Sequence, residues 1–152
     1  MATNVIRYRH EGENRWGIVE GVTVKPIAGE FATTREFMLQ GMGRVHSGDA
    51  ASDSGPPLTE VEVLCPITED RQFVCQAINY RTHMLESGLD PDASPFNIFF
   101  RKASSCLAPA DTDIVKPAHV EFLDYEVEIG VVFSRDVAEP TQVTAGNLHE
   151  YV

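Results

Sequence analysis

The sequence predicts a mainly β chain with short helices, an α+β protein. Three observations carry that expectation. Apolar and polar residues alternate in short runs, as strands with one face in a core require. Turn residues separate the runs, and helical signals are confined to brief stretches near Thr34, after Asn79 and from Thr144. A chain of 152 residues suffices for one domain with a sizeable core, or one domain with a small appendage.

Residues 4–27 read as a β meander. Residues 5–9 form a strand, the polar stretch 10–14 a turn, and 15–20 the return strand. Gly21 permits the next turn, and 22–27 continue the meander with Trp16 in its core. Residues 34–42 carry a short helix, with Thr34 as N-cap and Phe37, Met38 and Leu39 facing inward. From Gly41 to Pro57 the composition shifts to Gly, Ser, Asp and Pro, which marks a loop or linker. Residues 1–57 are therefore expected to be a small N-terminal β module with its linker, and 58–152 to open a second domain.

In the second part, Val61, Val63 and Cys65 alternate with Glu60, Glu62 and Leu64, a strand over 58–66. Residues 71–78 form another strand that runs straight into a polar turn and a short helix closed by Gly88. His83 and Glu86 are three apart, hence neighbours on one helix face. A carboxylate beside an imidazole raises its basicity and fixes its tautomer. An exposed helical pair with no chemical task has the same spacing. Residues 90–95 are a turn-rich loop, and 97–102 a strand ending in Arg101 and Lys102. Cations at a strand end commonly just meet solvent; here they are also placed to hold an anionic substrate or a developing enolate. Residues 111–117 connect to the next strand, and 144–152 begin a helix.

The run 123–133 alternates along its length. Tyr125, Val127, Ile129, Val131 and Phe133 point one way, and Asp124, Glu126, Glu128, Gly130 and Val132 the other. Carboxylates two apart on a strand project from one face, roughly 7 Å apart. After Glu128 that face turns to Gly and Val, as at the entrance to an interior. Two buried like charges need a raised pKa or a cation, and a hard divalent ion such as Mg²⁺ takes carboxylate oxygens. An acidic outer face on a half-exposed strand gives the same pattern.

Composition narrows the partners. With 43% apolar and 23% charged residues the chain is ordinary for a soluble globular protein. Its net charge of −11, from 23 acidic against 12 basic residues, argues against nucleic acid and anionic membrane. There is no long apolar run, and the N-terminus lacks a signal-peptide core. Cys65, Cys75 and Cys106 form no C-x-x-C pair, so free buried thiols in a reducing cytoplasm are expected.

The runs Asn79-Tyr80-x-x-His83-x-x-Glu86, Phe100-Arg101-Lys102-Ala103-Ser104-Ser105 and Leu123-Asp124-Tyr125-Glu126-Val127-Glu128 together resemble the fumarylacetoacetate hydrolase family in order and spacing. The resemblance runs from about Cys75 to Phe133, and Arg7-Tyr8 and Arg15-Trp16-Gly17 are similar to the family's N-terminal region. It implies a mixed β-roll of the fumarylacetoacetate hydrolase type, preceded by a small β module and assembled as a homodimer. It implies Mg²⁺ or Mn²⁺ held by Glu126 and Glu128. His83, paired with Glu86, would be the general base on a lid-like helix, and Lys102 would stabilise an enolate or oxyanion. Tyr80 and Arg101 are candidates for substrate contact, and Asp124 has a supporting place.

The implied substrates are small 2-oxo acids or 1,3-dicarbonyl compounds, such as fumarylacetoacetate, acylpyruvates and ring-cleavage diacids. The implied reaction is hydrolytic or lyase cleavage of a carbon–carbon bond. Isomerisation, hydration or decarboxylation on the same core remains open, as does a non-catalytic N-terminal piece. The family's third metal ligand is an Asp downstream of the Glu-x-Glu strand, and Asp136 lies too close to that strand to replace it. With that ligand beyond Val152, and a final helix without a Gly stop, the chain is expected to be part of a longer polypeptide and not an autonomous enzyme.

Overall fold

The computed structural model describes residues 3–48 and 54–152. The reading of the extreme N-terminus at Met1 and Ala2, and the part of the predicted linker at 49–53, lie outside the described residues. Strands β1 (Val5–His10), β2 (Glu13–Glu20), β3 (Thr23–Pro26) and β4 (Glu62–Leu64) form one antiparallel sheet in the order β3-β2-β1-β4. Glu11 and Gly12, with φ of 50° and 83°, close β1 onto β2 and leave His10 opposite Glu13. Positive φ at both central residues matches the twist of the flanking strands.

The run 58–66 is not one strand. Leu58–Glu60 coil into a 3₁₀ turn, and only Glu62–Leu64 extend. Backbone demand on the edge of β3 explains the difference: Val24 N donates to Pro56 O at 2.9 Å, and Leu58 N to Val22 O at 2.8 Å. The chain is thus held against β3 before it crosses to β1. There β4 sets Leu64 opposite Arg7 and Val63 opposite Tyr8, so the N-terminal sheet reaches residue 64.

The helix begins one residue earlier than the spacing predicts. Thr33 is the N-cap: its hydroxyl accepts from Glu36 N at 3.2 Å, and the Glu36 carboxylate accepts from Thr33 N at 3.1 Å. Thr34 is only 3% exposed and is used elsewhere. Its hydroxyl donates to Pro66 O at 2.8 Å and accepts from Thr68 N at 2.9 Å, while Thr34 N donates to the Thr68 hydroxyl at 2.9 Å. This reciprocal exchange fastens the helix start to the segment leading into the second half of the chain.

The helix also runs further than expected. Thr34–Glu36 (α1) is followed by a π turn over Phe37–Gly41 and by α2 (Met42–Ser47), which stops at Gly48 with φ of 75°. Gly41 is therefore no terminator. A Cβ there would lie 2.4 Å from Phe37 Cδ2, so glycine is needed for close packing against the ring. Phe37 is buried and Met38 packs on the core, whereas Leu39 is 59% exposed because the wide turn rotates it outward.

Trp16, Ile18, Ile27, Phe31 and Phe37 make the core between sheet and helix. Trp16 and Phe37 stack with ring centroids 4.0 Å apart, and Phe31 meets Phe37 edge-on at 5.7 Å. The Trp16 indole donates to Phe31 O at 3.1 Å, which satisfies the one polar atom of that ring. Tyr8 and Val24 are buried beside Gly17, where a Cβ would meet Val24 Cγ1 at 2.6 Å.

The second sheet is the hairpin β5 (Phe73–Gln76) and β6 (Phe99–Lys102), with α3 (Arg81–Glu86) between its strands. Residues 123–133 are not a strand. The alternation is present, but among the described residues no ladder partner takes up their backbone, and Tyr125, Val127 and Ile129 are 83%, 91% and 93% exposed. Period two specifies faces, and pairing makes a strand. The predicted final helix is a turn followed by a 3₁₀ turn at Leu148–Glu150. Buried Tyr151 halts it: its carbonyl accepts from Ser134 N at 2.9 Å, and the Arg135 guanidinium lies 4.5 Å from its ring centroid.

The cysteines are free, but Cys65 and Cys75 are half-buried and Cys106 is exposed. Among the described residues no helix is long and apolar enough to cross a membrane.

Two outcomes follow for stability. Phe37→Ala removes the stack and the ring that Gly41 abuts, and is expected to cost about 3–5 kcal/mol. Urea denaturation read through Trp16 fluorescence measures this, and a loss below about 1 kcal/mol would refute the central place of the stack. The second concerns pH. The Thr68 hydroxyl and then Arg71 hold the Asp70 carboxyl below its ordinary value, and the Arg35 fork at 3.1 and 3.3 Å does the same for Asp136. A lowered folded-state pKa gives stability above the ordinary aspartate value that is lost as pH falls through the folded value. Urea midpoints should therefore drop below about pH 4, and Asp136→Asn should flatten that drop.

Candidate active site

The candidate site is built from the second hairpin. Register pairs Phe73 with Lys102, Val74 with Arg101, Cys75 with Phe100 and Gln76 with Phe99. Arg101 and Lys102 thus sit at the end of β6 that faces the start of β5. Val74, Phe99, Phe100 and Arg101 line a shallow concavity of about 300 Å³.

At the opposite end of the hairpin the chain leaves β5 for α3. Ala77 N donates to Ile98 O at 3.0 Å, and the ladder is then completed by a side chain. Asn79 Nδ2 donates to Ile98 O at 2.8 Å, and Asn79 Oδ1 accepts from Ile98 N at 2.8 Å. An amide side chain thereby stands in for a peptide unit. Tyr80 is extended, with φ of −81° and ψ of 129°, and α3 starts at Arg81.

The helix is short. Met84 N donates to Tyr80 O at 2.9 Å and Ser87 N to His83 O at 3.0 Å. Gly88, with φ of 72°, reverses the chain, so that Gly88 N reaches Leu85 O and Leu89 N reaches Met84 O. That left-handed stop is the one the sequence predicts. The Arg81 guanidinium forks onto both oxygens of Asp92, at 2.8 and 3.2 Å. The pair holds the Asp92 carboxyl below its ordinary value, first through the hydrogen bond and then through the charge.

Tyr80, His83 and Glu86 lie on or beside α3 at one end of the hairpin, and Arg101 and Lys102 lie toward the other end of β6, with no bond between the two sets among the described residues. All five side chains are exposed, Tyr80 at 67%, and none makes a hydrogen bond or ion pair among the described residues. Glu126 and Glu128 are not gathered with either set. Both are exposed on the unpaired segment, and no bond joins them to α3 or β6 among the described residues. Asp124 accepts from Tyr125 N at 2.9 Å. The carboxylate of Asp136 is engaged by Arg35 in an exposed ion pair.

The donor chemistry of Glu126 and Glu128 suits Mg²⁺ or Mn²⁺, since Mg²⁺ is usually held by one or two carboxylates together with substrate oxygens and water. No group of three His, Cys, Asp or Glu residues able to hold a metal occurs among the described residues. This chain therefore offers two candidate ligands of the right type. Sequence reasoning assigned no task to Asn79, Arg81 or Asp92. Their partners lie nineteen and eleven residues away, beyond the reach of helical or strand spacing rules.

Comparison with known proteins divides the chain in two. Residues 72–152, more than half of the chain, match the family described as fumarylacetoacetate (FAA) hydrolase, C-terminal. Residues 5–66 match the family described as Rv2993c-like, N-terminal. Fumarylacetoacetate hydrolase domain-containing protein 2 of Pongo abelii is 37% identical over 79 residues, which is 52% of this chain and 24% of that protein. A mitochondrial oxaloacetate tautomerase of Bos taurus is 30% identical over 128 residues, 82% of this chain and 40% of its own length. A 2,4-didehydro-3-deoxy-L-rhamnonate hydrolase of a Sphingomonas species is 28% identical over 129 residues, 83% of this chain and 42% of that protein. The chain thus spans less than half the length of these curated relatives.

Proposed function

The chain belongs to the fumarylacetoacetate hydrolase family, and on that footing we propose that it carries the acid–base residues of a metal-dependent hydrolase or lyase acting on a 2-oxo acid or 1,3-dicarbonyl substrate. One observation carries the proposal: all three motif runs, at 79–86, 100–105 and 123–128, fall inside the matched region 72–152, in the family's order. The same likeness supports a homodimer and a β-roll that follows a small N-terminal β module, a module that extends past the expected 1–57 because β4 joins its sheet and the N-terminal family match runs over 5–66. The cytoplasmic setting rests on the free thiols alone. Some relatives are named mitochondrial.

Glu126 and Glu128 are the proposed ligands of Mg²⁺ or Mn²⁺. The bound ion would supply Lewis-acid polarisation of two substrate oxygens. The remaining chemistry belongs to this chain's side chains. His83 takes a proton from water, and Glu86, one turn on, stabilises the imidazolium that results. The hydroxide oxygen bonds to the substrate carbonyl carbon. The adjacent carbon–carbon bond then breaks, leaving its electron pair as an enolate. The Lys102 ammonium stabilises the enolate oxygen, and the imidazolium returns its proton to the enolate carbon. Water is consumed and the charges balance. Tyr80 and Arg101 contact the substrate.

A second reading is favoured by relatives named oxaloacetate tautomerases. The same base would move a proton between carbon and oxygen, with no bond cleaved and no water consumed. Proton NMR of oxaloacetate and of an acylpyruvate, each with the protein and Mg²⁺, separates the two. Cleavage yields two new acids, and tautomerisation changes only the rate of keto–enol exchange. Absence of both, with the third metal ligand supplied by a longer polypeptide that contains this chain, would remove the proposal.

Two substitutions sharpen it. Glu126→Gln combined with Glu128→Gln should abolish Mn²⁺ binding in calorimetry, and an unchanged affinity would exclude both as ligands. His83→Ala should lower kcat by about 10²- to 10⁴-fold while Mn²⁺ binding persists. Full activity in that variant would leave the general base elsewhere.

A further inference from the structure

We propose that Asn79 and the Arg81–Asp92 pair are positioning residues that together set the place of α3 on the β5–β6 hairpin. The proposal rests on His83 and Glu86 being the acid–base pair carried by that helix.

The argument begins with what does not hold α3. The helix spans Arg81–Glu86 and contains no buried residue, and Leu85 on it is largely exposed. A helix this short is unstable alone, and most helical stability in proteins comes from packing an apolar face. Here that contribution is small, so directional polar bonds must fix where the helix lies.

Two such bonds sit at its start. Asn79 satisfies both backbone groups of Ile98, the residue just before β6, with two contacts of 2.8 Å. The same Nδ2 lies 3.3 Å from Gln76 Oε1. Asn79 therefore occupies the next rung of the ladder with its side chain while its backbone turns away into α3. Aspartate keeps the acceptor but places an oxygen against Ile98 O, leucine offers neither group, and glutamine moves the amide outward by one methylene. Only asparagine has the reach and both polarities.

Arg81, the first residue of α3, carries the second bond. Its planar fork fits the carboxylate of Asp92 in two contacts, which fixes direction as well as distance. Asp92 is itself braced within its turn, where Asp92 N and Ala93 N both bond to Asp90, at 2.9 and 3.2 Å. The segment 79–98 is thus tied at its base by Asn79 and across its middle by Arg81. His83 follows Arg81 by two residues, so a loosened first turn displaces the imidazole directly.

The test uses the full chain and two readouts. Amide hydrogen exchange at Met84 and Leu89 reports α3, and exchange at Val19 in the first sheet serves as reference. Asn79→Leu and Asp92→Asn should each speed exchange at Met84 and Leu89 about three- to tenfold, with Val19 unchanged. Turnover of oxaloacetate with Mn²⁺ should lose kcat while KM stays level. The exchanged pair, Arg81→Asp with Asp92→Arg, should restore both readouts toward the parent, which a merely structural disturbance would not. Unchanged exchange in Asn79→Leu and Asp92→Asn would overturn the anchoring. Faster exchange with undiminished kcat would overturn the positioning role. The acid–base reading fails separately if His83→Ala keeps full turnover, and where the parent chain itself shows no turnover the exchange rates decide the anchoring.

Discussion

A backbone N–H or C=O withdrawn from water needs a partner, and the order in this chain follows where partners are found. The first sheet supplies most of them. β2 is paired on both sides, β1 receives β4 across its outer edge, and residues 56–58 cover β3. The helix start satisfies its free amides through the Thr33 cap and Thr68. In the second half partners are fewer. The hairpin β5–β6 has two strands, and its ladder is extended by a side chain where the backbone departs. Residues 123–133 find no ladder among the described residues and stay extended and exposed.

The same constraint explains what could be read from the sequence. Alternation and short apolar runs marked the strands of the meander, the two separate strands that pair as the second hairpin, and Trp16 as core, because period two reports which side chains share a face. It does not report which strand lies alongside. Residues 58–66 alternate as convincingly as 15–20, yet the backbone around Pro56–Leu58 is committed to β3, and only three residues remain for β4. Residues 123–133 alternate best of all and pair with nothing described. Glycine was ambiguous for a related reason. Gly88 ends a helix by its positive φ, as its position implied. Gly41 carries no such φ and serves close packing against Phe37, a contact that depends on the π turn and on Phe31 from outside the helix.

The candidate site divides along the same line. The placement of His83 and Glu86 on one short helix, and of Lys102 at the end of a strand, was legible from local pattern. The contacts of Asn79, Arg81 and Asp92 were not, since they close a loop of some twenty residues whose geometry no local rule encodes. Glu126 and Glu128 show the limit of an electrostatic argument made from pattern. Two carboxylates roughly 7 Å apart repel by about 0.6 kcal/mol in water, which no protein needs a cation to relieve. The demand for a metal becomes strong only when the face is buried, and here it is open. Donor type and family membership therefore carry the metal proposal, and burial does not.

The contrast between the two halves bears on what the helix can do. In the N-terminal half, position is set by packing: the stacked Trp16 and Phe37 rings and the buried Tyr8 resist displacement from every side. Around α3, position is set by a few directional bonds at exposed sites, where each is worth little and water competes for every partner. Such a segment belongs to the low-stability end of a fold, the end from which elements that open for a ligand are drawn. The proposed acid–base pair, held this way, would gain access to substrate at the cost of precision. The Asn79 amide and the Arg81 fork recover precision because both are bidentate: each fixes an orientation, so two short contacts at the helix start define where His83 stands without burying it.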